Sequence, residues 1–347
     1  MPLLAWPIWL LLRTFIPQAG NLTFGSPLID LRILSAYVLL IPIWMIASRR
    51  GSTTLIRLIC YSAYAACLIA VVAWSMARLS LLGPGSYPLV NIAAGAAQDV
   101  RPGGEILMPV LAVLLVFNRA PLFLRSRWLS FALLLGEILV SQTLSIVIAS
   151  VAGILLVLLS NWHYISLAKR VIIIALLLGS GFVALSGGGS QNGNADVGSR
   201  FNLTERIGQN SAQYRVAEAE TMAIIYEDEP LVLAVGTGPG SFVSFTDGLV
   251  HEVKDLTHNV YNNLILKTGI VGLVLFTGGF VFTFCRNWAQ PNILTRVLFG
   301  SLGAIGVLSM TVPFVSTVSG LTALLCLGGL AVSQTVNARP ARAGALN

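Results

Sequence analysis

The chain is a succession of apolar runs divided by short polar connections, near residues 3–17, 28–48, 54–77, 105–118, 127–142, 144–161, 169–186, 260–285, 294–312 and 314–335. An α-helix needs about 20 apolar residues to cross the hydrocarbon of a bilayer. Composition points the same way: 56% of the 347 residues are hydrophobic and 10% are charged, where a soluble domain carries roughly a quarter charged. The expected fold is an all-α polytopic membrane bundle of about ten transmembrane helices. The stretch 127–161 exceeds one span, and the polar cluster Ser141, Gln142, Thr143 and Ser145 divides it into two. Leu3 to Ile16 lacks a basic leader and a small-residue cleavage site, so it reads as an uncleaved first span.

The basic residues set the orientation. Arg49 and Arg50, then Arg119, Arg125 and Arg127, then Lys169 and Arg170, then Arg286 and Arg296, and finally Arg339 and Arg342 follow alternate spans. All fall on one side if the spans alternate, and an excess of Lys and Arg marks the cytoplasmic side. Asp30, Asp99, Glu105 and the ten acids from Asp196 to Asp255 fall on the other side. Both termini are therefore expected in the cytoplasm of an inner-membrane-type protein. The net charge of +7 is scattered between apolar runs, which speaks against nucleic acid as a partner. The partition expected is a membrane bundle of about seven spans over 1–186, an external loop over 187–257, and a bundle of about three spans with a short tail over 258–347. Cys60, Cys67, Cys285 and Cys326 lie in or beside apolar runs without metal-ligand spacing, and read as packing residues.

The polar groups gather between Arg215 and Gly272. The external loop opens with a Gly/Ser/Asn tract, Gly187 to Gly198. Residues 213–227 then suggest a short helix with Val216, Met222, Ala223 and Tyr226 on one stripe, opposite Glu218, Glu220 and Glu227. It either lies against the membrane face or caps the bundle in solvent. Next comes Gly236-Thr237-Gly238-Pro239-Gly240-Ser241-Phe242, and then Thr257-His258-Asn259 before the eighth span. A helix starting near His258, with Thr257 as its cap, turns free N–H groups and a positive dipole end toward an anion. His258 and Asn262 share a face there, as do Asn259 and Asn263. Three amides and an imidazole at a membrane boundary point to a polar ligand. Arg215 offers a planar fork for phosphate, and the glycine turn offers further N–H groups. Glu137 is the acid inside a span, a position that favours function unless Gln142, Arg57 or Arg32 partners it.

This order of motifs resembles the O-antigen ligase and polysaccharide polymerase family. The residues that carry the resemblance are Arg215, Pro230-Leu231, the glycine turn from Gly236 through Gly238 and Gly240 to Phe242, His258-Asn259, and Gly269 with Gly272. The resemblance implies transfer or polymerisation of a glycan from an undecaprenyl-diphosphate carrier, without metal or nucleotide cofactor. The acceptor is the hydroxyl of a growing glycan, of lipid A core or of a protein. His258 is then the general base, Arg215 the diphosphate ligand, and Asn259 a residue that orients the histidine or a sugar. The chain departs from the family's pattern at Ile146, where a second arginine is usual, and it lacks the tryptophan often found shortly after. Arg200 or Arg206 would then supply that charge. A flippase or transporter for the same lipid, or a non-enzymatic assembly partner, stands as the alternative. The first calls for inverted repeats and polar groups at mid-membrane, which the sequence does not display.

Overall fold

Where they are described, the apolar runs fold as helices. A computed structural model of the chain describes residues 2–15, 31, 34–39, 41–43, 45–46, 52–78, 90–93, 96–100, 106–141, 144–160, 210–241, 243–247, 250–254, 259–288, 293–310 and 318–337. A 3-10 turn leads into α1 (Ala5–Phe15), followed by α2 (Ser35–Val38) and α3 (Ser52–Arg78). A hairpin, β1 (Val90–Ala93) with β2 (Ala96–Val100), precedes α4 (Leu107–Val116), α5 (Arg127–Ser141) and α6 (Leu144–Ser160). Then come α7 (Asn210–Asp228), α8 (Pro230–Val235), and a second hairpin of β3 (Val243–Asp247) and β4 (Val250–Lys254). The chain closes with α9 (Val260–Trp288), α10 (Ile293–Leu308) and α11 (Val318–Asn337).

The polar cluster after Ser141 does separate two helices, α5 and α6. The run 169–186 and the Gly/Ser/Asn tract lie outside the described residues. Among the described residues, two helical stretches, Thr53–Met76 and Val260–Thr283, are long and apolar enough to cross a membrane. Both hairpins sit in connections, and β3 alternates Val243 and Phe245 with Ser244 and Thr246, the period of a strand.

Two compact units emerge. One comprises 53–207 and 292–308. Within it α4 is buried along almost its whole length, from Met108 to Leu115, as suits a helix apolar all round. On α3, Leu55, Ile59, Ala63, Cys67 and Ala70 are buried, while Leu58, Tyr61, Leu68, Ile69 and Val72 are exposed. A continuous exposed apolar face is what lipid, rather than water, accommodates. Helices α6 and α10 pack at small residues: a Cβ on Gly153 would stand 2.7 Å from Ala304 Cβ and from the Gly300 carbonyl. Such close backbone approach is how helices associate where lipid supplies no hydrophobic drive. Glu137 is wholly buried on α5, whereas Arg57 on α3 is exposed.

The other unit comprises 1–52, 208–291 and 309–347. Here α9 is central and packs against α1, α8 and α11. Trp6 meets Phe276 edge-on at 5.1 Å between centroids, and Phe276 meets Phe280 at 5.3 Å. Gly328 of α11 admits Leu3 and Phe280. Helix α7 lies on the start of α9 through Met222 against Leu266, with Ile225 and Tyr226 beside them. This corrects the expected stripe: Glu218 is buried one turn before Met222, and Ala223 is exposed. The inward face is set by packing on α9 and not by the apolar pattern of α7 alone. Burial of Tyr226 raises its phenol pKa.

Candidate functional site

Pro230 opens α8, where its fixed φ suits a first helical turn and its missing N–H goes unneeded. The helix ends after one and a half turns because Gly236 takes φ 79°, open to glycine and strained for other residues. Gly238 and Gly240 follow with φ 102° and 87°. The turn so formed is buried throughout and lies directly on a break in α9. At Gly269 the backbone has φ 69° and ψ −178°, which interrupts the helix.

That break explains why the two glycine motifs occur together. Three successive carbonyls of α9 accept hydrogen bonds from elsewhere in the unit. Leu266 O accepts from the Thr237 N–H at 2.6 Å, Lys267 O from the Gly238 N–H at 3.1 Å, and Thr268 O from Trp9 Nε1 at 2.8 Å. The single hydroxyl proton of Thr237 can go to Leu266 O or to Ser241 Oγ, each at 2.8 Å. Ser241 in turn reaches Gly238 O at 3.1 Å. A side chain at Gly236 would overlap the backbone at Lys267, Thr268 and Gly269, and one at Gly269 would overlap Ala234 and Val235. Gly272 leaves room for the Thr268 side chain and for Trp9. The turn and the break are two halves of one joint.

The expectation that the turn offers its N–H groups to an anion is not met at its first three residues. Gly236 N–H bonds Val232 O at 2.8 Å, and those of Thr237 and Gly238 go to α9. The start of α9 is likewise more occupied than expected. The helix begins at Val260, and Asn259 caps it: Asn259 Oδ1 accepts from the Tyr261 N–H at 2.9 Å, and Asn259 O from the Asn263 N–H at 3.0 Å. The Val260 N–H goes to Ser309 O at 2.9 Å, a partner brought in by tertiary packing. Asn262 is half-buried and Asn263 is 8% exposed.

Among the other candidates, Arg215 falls within α7, in the same unit as the joint, with its backbone described and its side chain not. Thr257, His258, Arg200 and Arg206 lie outside the described residues, His258 directly before the cap Asn259. Ile146 is fully buried on α6.

One residue that sequence reasoning passed over belongs to the joint. Arg13 is 1% exposed, and its Nη2 donates to Gly236 O at 2.6 Å. Its Nε and Nη1 have no hydrogen-bond partner among the described residues. Trp9 and Arg13 are four apart on α1, hence on one face, and both reach the joint. A hydrogen bond from a charged donor contributes about 1.5–3 kcal/mol, while removing a charge from water costs several kcal/mol. The carbonyl of Gly236 alone therefore does not offset the burial of this guanidinium. The signal was present in the sequence, since Arg13 is the charge inside the first apolar run.

Comparison with known proteins bears on this geometry. No curated protein matches the sequence. The family model described as O-antigen ligase matches residues 129–277, a stretch that runs from α5 through Arg215, the glycine turn and His258 to the break at Gly269 and beyond. Across that stretch, somewhat under half of its length, the chain is similar to the O-antigen ligase family.

Proposed function

We propose that the protein transfers or polymerises a glycan carried on undecaprenyl diphosphate, on the outer face of the inner membrane, with both termini cytoplasmic. The observation that carries this reading is the coincidence of the O-antigen ligase match with the joint between the glycine turn and α9, the helix that follows His258-Asn259 in the sequence. The oxygen of an acceptor hydroxyl attacks the anomeric carbon of the donor sugar. Its proton passes to His258, the bond from that carbon to the diphosphate oxygen breaks, and undecaprenyl diphosphate leaves. Arg215 stabilises the charge growing on the diphosphate. Imidazole, with an unperturbed pKa near 6.5, suits the task at neutral pH. Asn259 orients the histidine or a sugar, and the glycines hold the shape of the site.

The test is transfer by the purified protein in liposomes, with an undecaprenyl-diphosphate-linked glycan as donor and a hydroxyl acceptor. His258→Ala is expected to slow transfer by about 100- to 10,000-fold, the usual contribution of a general base, with donor binding little changed. The chain's two other histidines serve as controls, and His163→Ala and His251→Ala are expected to stay near the parent rate. Nearly full transfer by His258→Ala sinks the base assignment. Translocation of the donor without a new glycosidic bond would favour the flippase instead. In cells, loss of long glycan chains on deletion marks a polymerase, and unattached long chains mark a ligase.

A further inference from the structure

Among the described residues, Arg13 is a buried cation with one neutral acceptor. Gly236 O takes one of the five N–H donors of the guanidinium, and no described residue answers those on Nε and Nη1. The position is not incidental, because the neighbouring turn of α1 is pinned by Trp9 Nε1 on Thr268 O. Through these two bonds α1 is tied to both halves of the joint, the turn and the break. A cation enclosed in this way favours an anion beside it, and unused donors on two different nitrogens suit one with oxygens pointing several ways. A diphosphate has that form.

We propose that Arg13 is a second diphosphate-binding residue, contributed by the first helix, which takes the role left open by Ile146. The assignment rests on the reading of the donor given above. It entails that arrival of the donor uncovers the guanidinium, which is 1% exposed without it. Its charge then faces the diphosphate from the side of α1.

The experiment is equilibrium binding of radiolabelled undecaprenyl diphosphate to the full-length protein in lipid nanodiscs. Undecaprenol and inorganic pyrophosphate serve as the two partial ligands. Arg13→Gln is expected to weaken undecaprenyl diphosphate binding by about 10- to 100-fold, the equivalent of one charge-assisted hydrogen bond, and to leave undecaprenol binding unchanged. Competition by pyrophosphate shows that the headgroup alone is recognised; its failure to compete shows that the lipid is needed as well, and either result supports the site if Arg13→Gln abolishes the phosphate-dependent part. A folded Arg13→Gln protein that binds like the parent overturns the proposal. Should that variant not fold, a cryo-EM structure of the parent with undecaprenyl diphosphate decides: phosphate oxygens on Arg13 support the proposal, and a diphosphate bound elsewhere ends it. Binding is measured without transfer. An inactive protein that binds through Arg13 therefore refutes only the transferase, and an active one indifferent to Arg13→Gln refutes only this site.

Discussion

Gly269→Ala and Gly278→Ala place the same methyl group on the same helix, and the structure demands opposite results. At Gly269 the backbone conformation, φ 69° and ψ −178°, lies in a region essentially reserved for glycine, and holding another residue there costs about 1–3 kcal/mol. The added Cβ also overlaps the backbone of Ala234 and Val235, so α8 must move away. That movement stretches the bonds from Thr237 and Gly238 to Leu266 O and Lys267 O, each contributing about 1 kcal/mol. Together these give a loss of roughly 3–5 kcal/mol, a large share of a total stability of about 5–15 kcal/mol. At Gly278 nothing lies within 4 Å of the new Cβ and φ is ordinary, so alanine should be neutral or stabilising by up to about 1 kcal/mol. The assay is equilibrium unfolding in mixed detergent micelles, with thermal melting as a second measure. If Gly269→Ala unfolds at the parent midpoint, the joint between turn and break is not a structural element and the reasoning built on it fails.

Packing in the other unit makes a parallel prediction. Gly153→Ala sets a Cβ 2.7 Å from Ala304 Cβ and should destabilise by about 1–3 kcal/mol, whereas Gly136→Ala, with Val71 Cγ2 at 3.3 Å as its tightest neighbour, should be mild in the same unfolding assay. Arg215→Lys is expected to retain the charge and lose most transfer activity, because an ammonium cannot present the planar fork; a lysine variant as active as the parent reduces Arg215 to a surface residue. For orientation, single cysteines at positions 192 and 247, in a chain freed of its native cysteines, should react with an impermeant thiol reagent in intact spheroplasts. Those at positions 126 and 292 should react only after permeabilisation, and outside labelling at 126 overturns the frame of about ten alternating spans.

The helical frame was legible in the sequence because lipid imposes a one-dimensional rule: a backbone in hydrocarbon must satisfy its own hydrogen bonds, so long apolar runs become helices wherever they stand. The division after Ser141 was legible for the same reason, since polar side chains interrupt such a run. The order Arg215, glycine turn, His258-Asn259 and Gly269 was likewise enough to indicate the family whose model matches residues 129–277. What those glycines do was not legible. Gly236 and Gly269 are 33 residues apart, and only packing shows that each clears space for the backbone of the other's segment. The inward turn of Glu218 was missed because periodicity describes one helix at a time, while packing of Met222 on Leu266 of α9 orients α7. The start of α9 was missed because the Val260 N–H finds its acceptor in the distant Ser309. Arg13 is the clearest instance. Its type and its place in an apolar run are written in the sequence, but its acceptor lies 223 residues away on Gly236, and a distance of that kind exists only once the chain has folded.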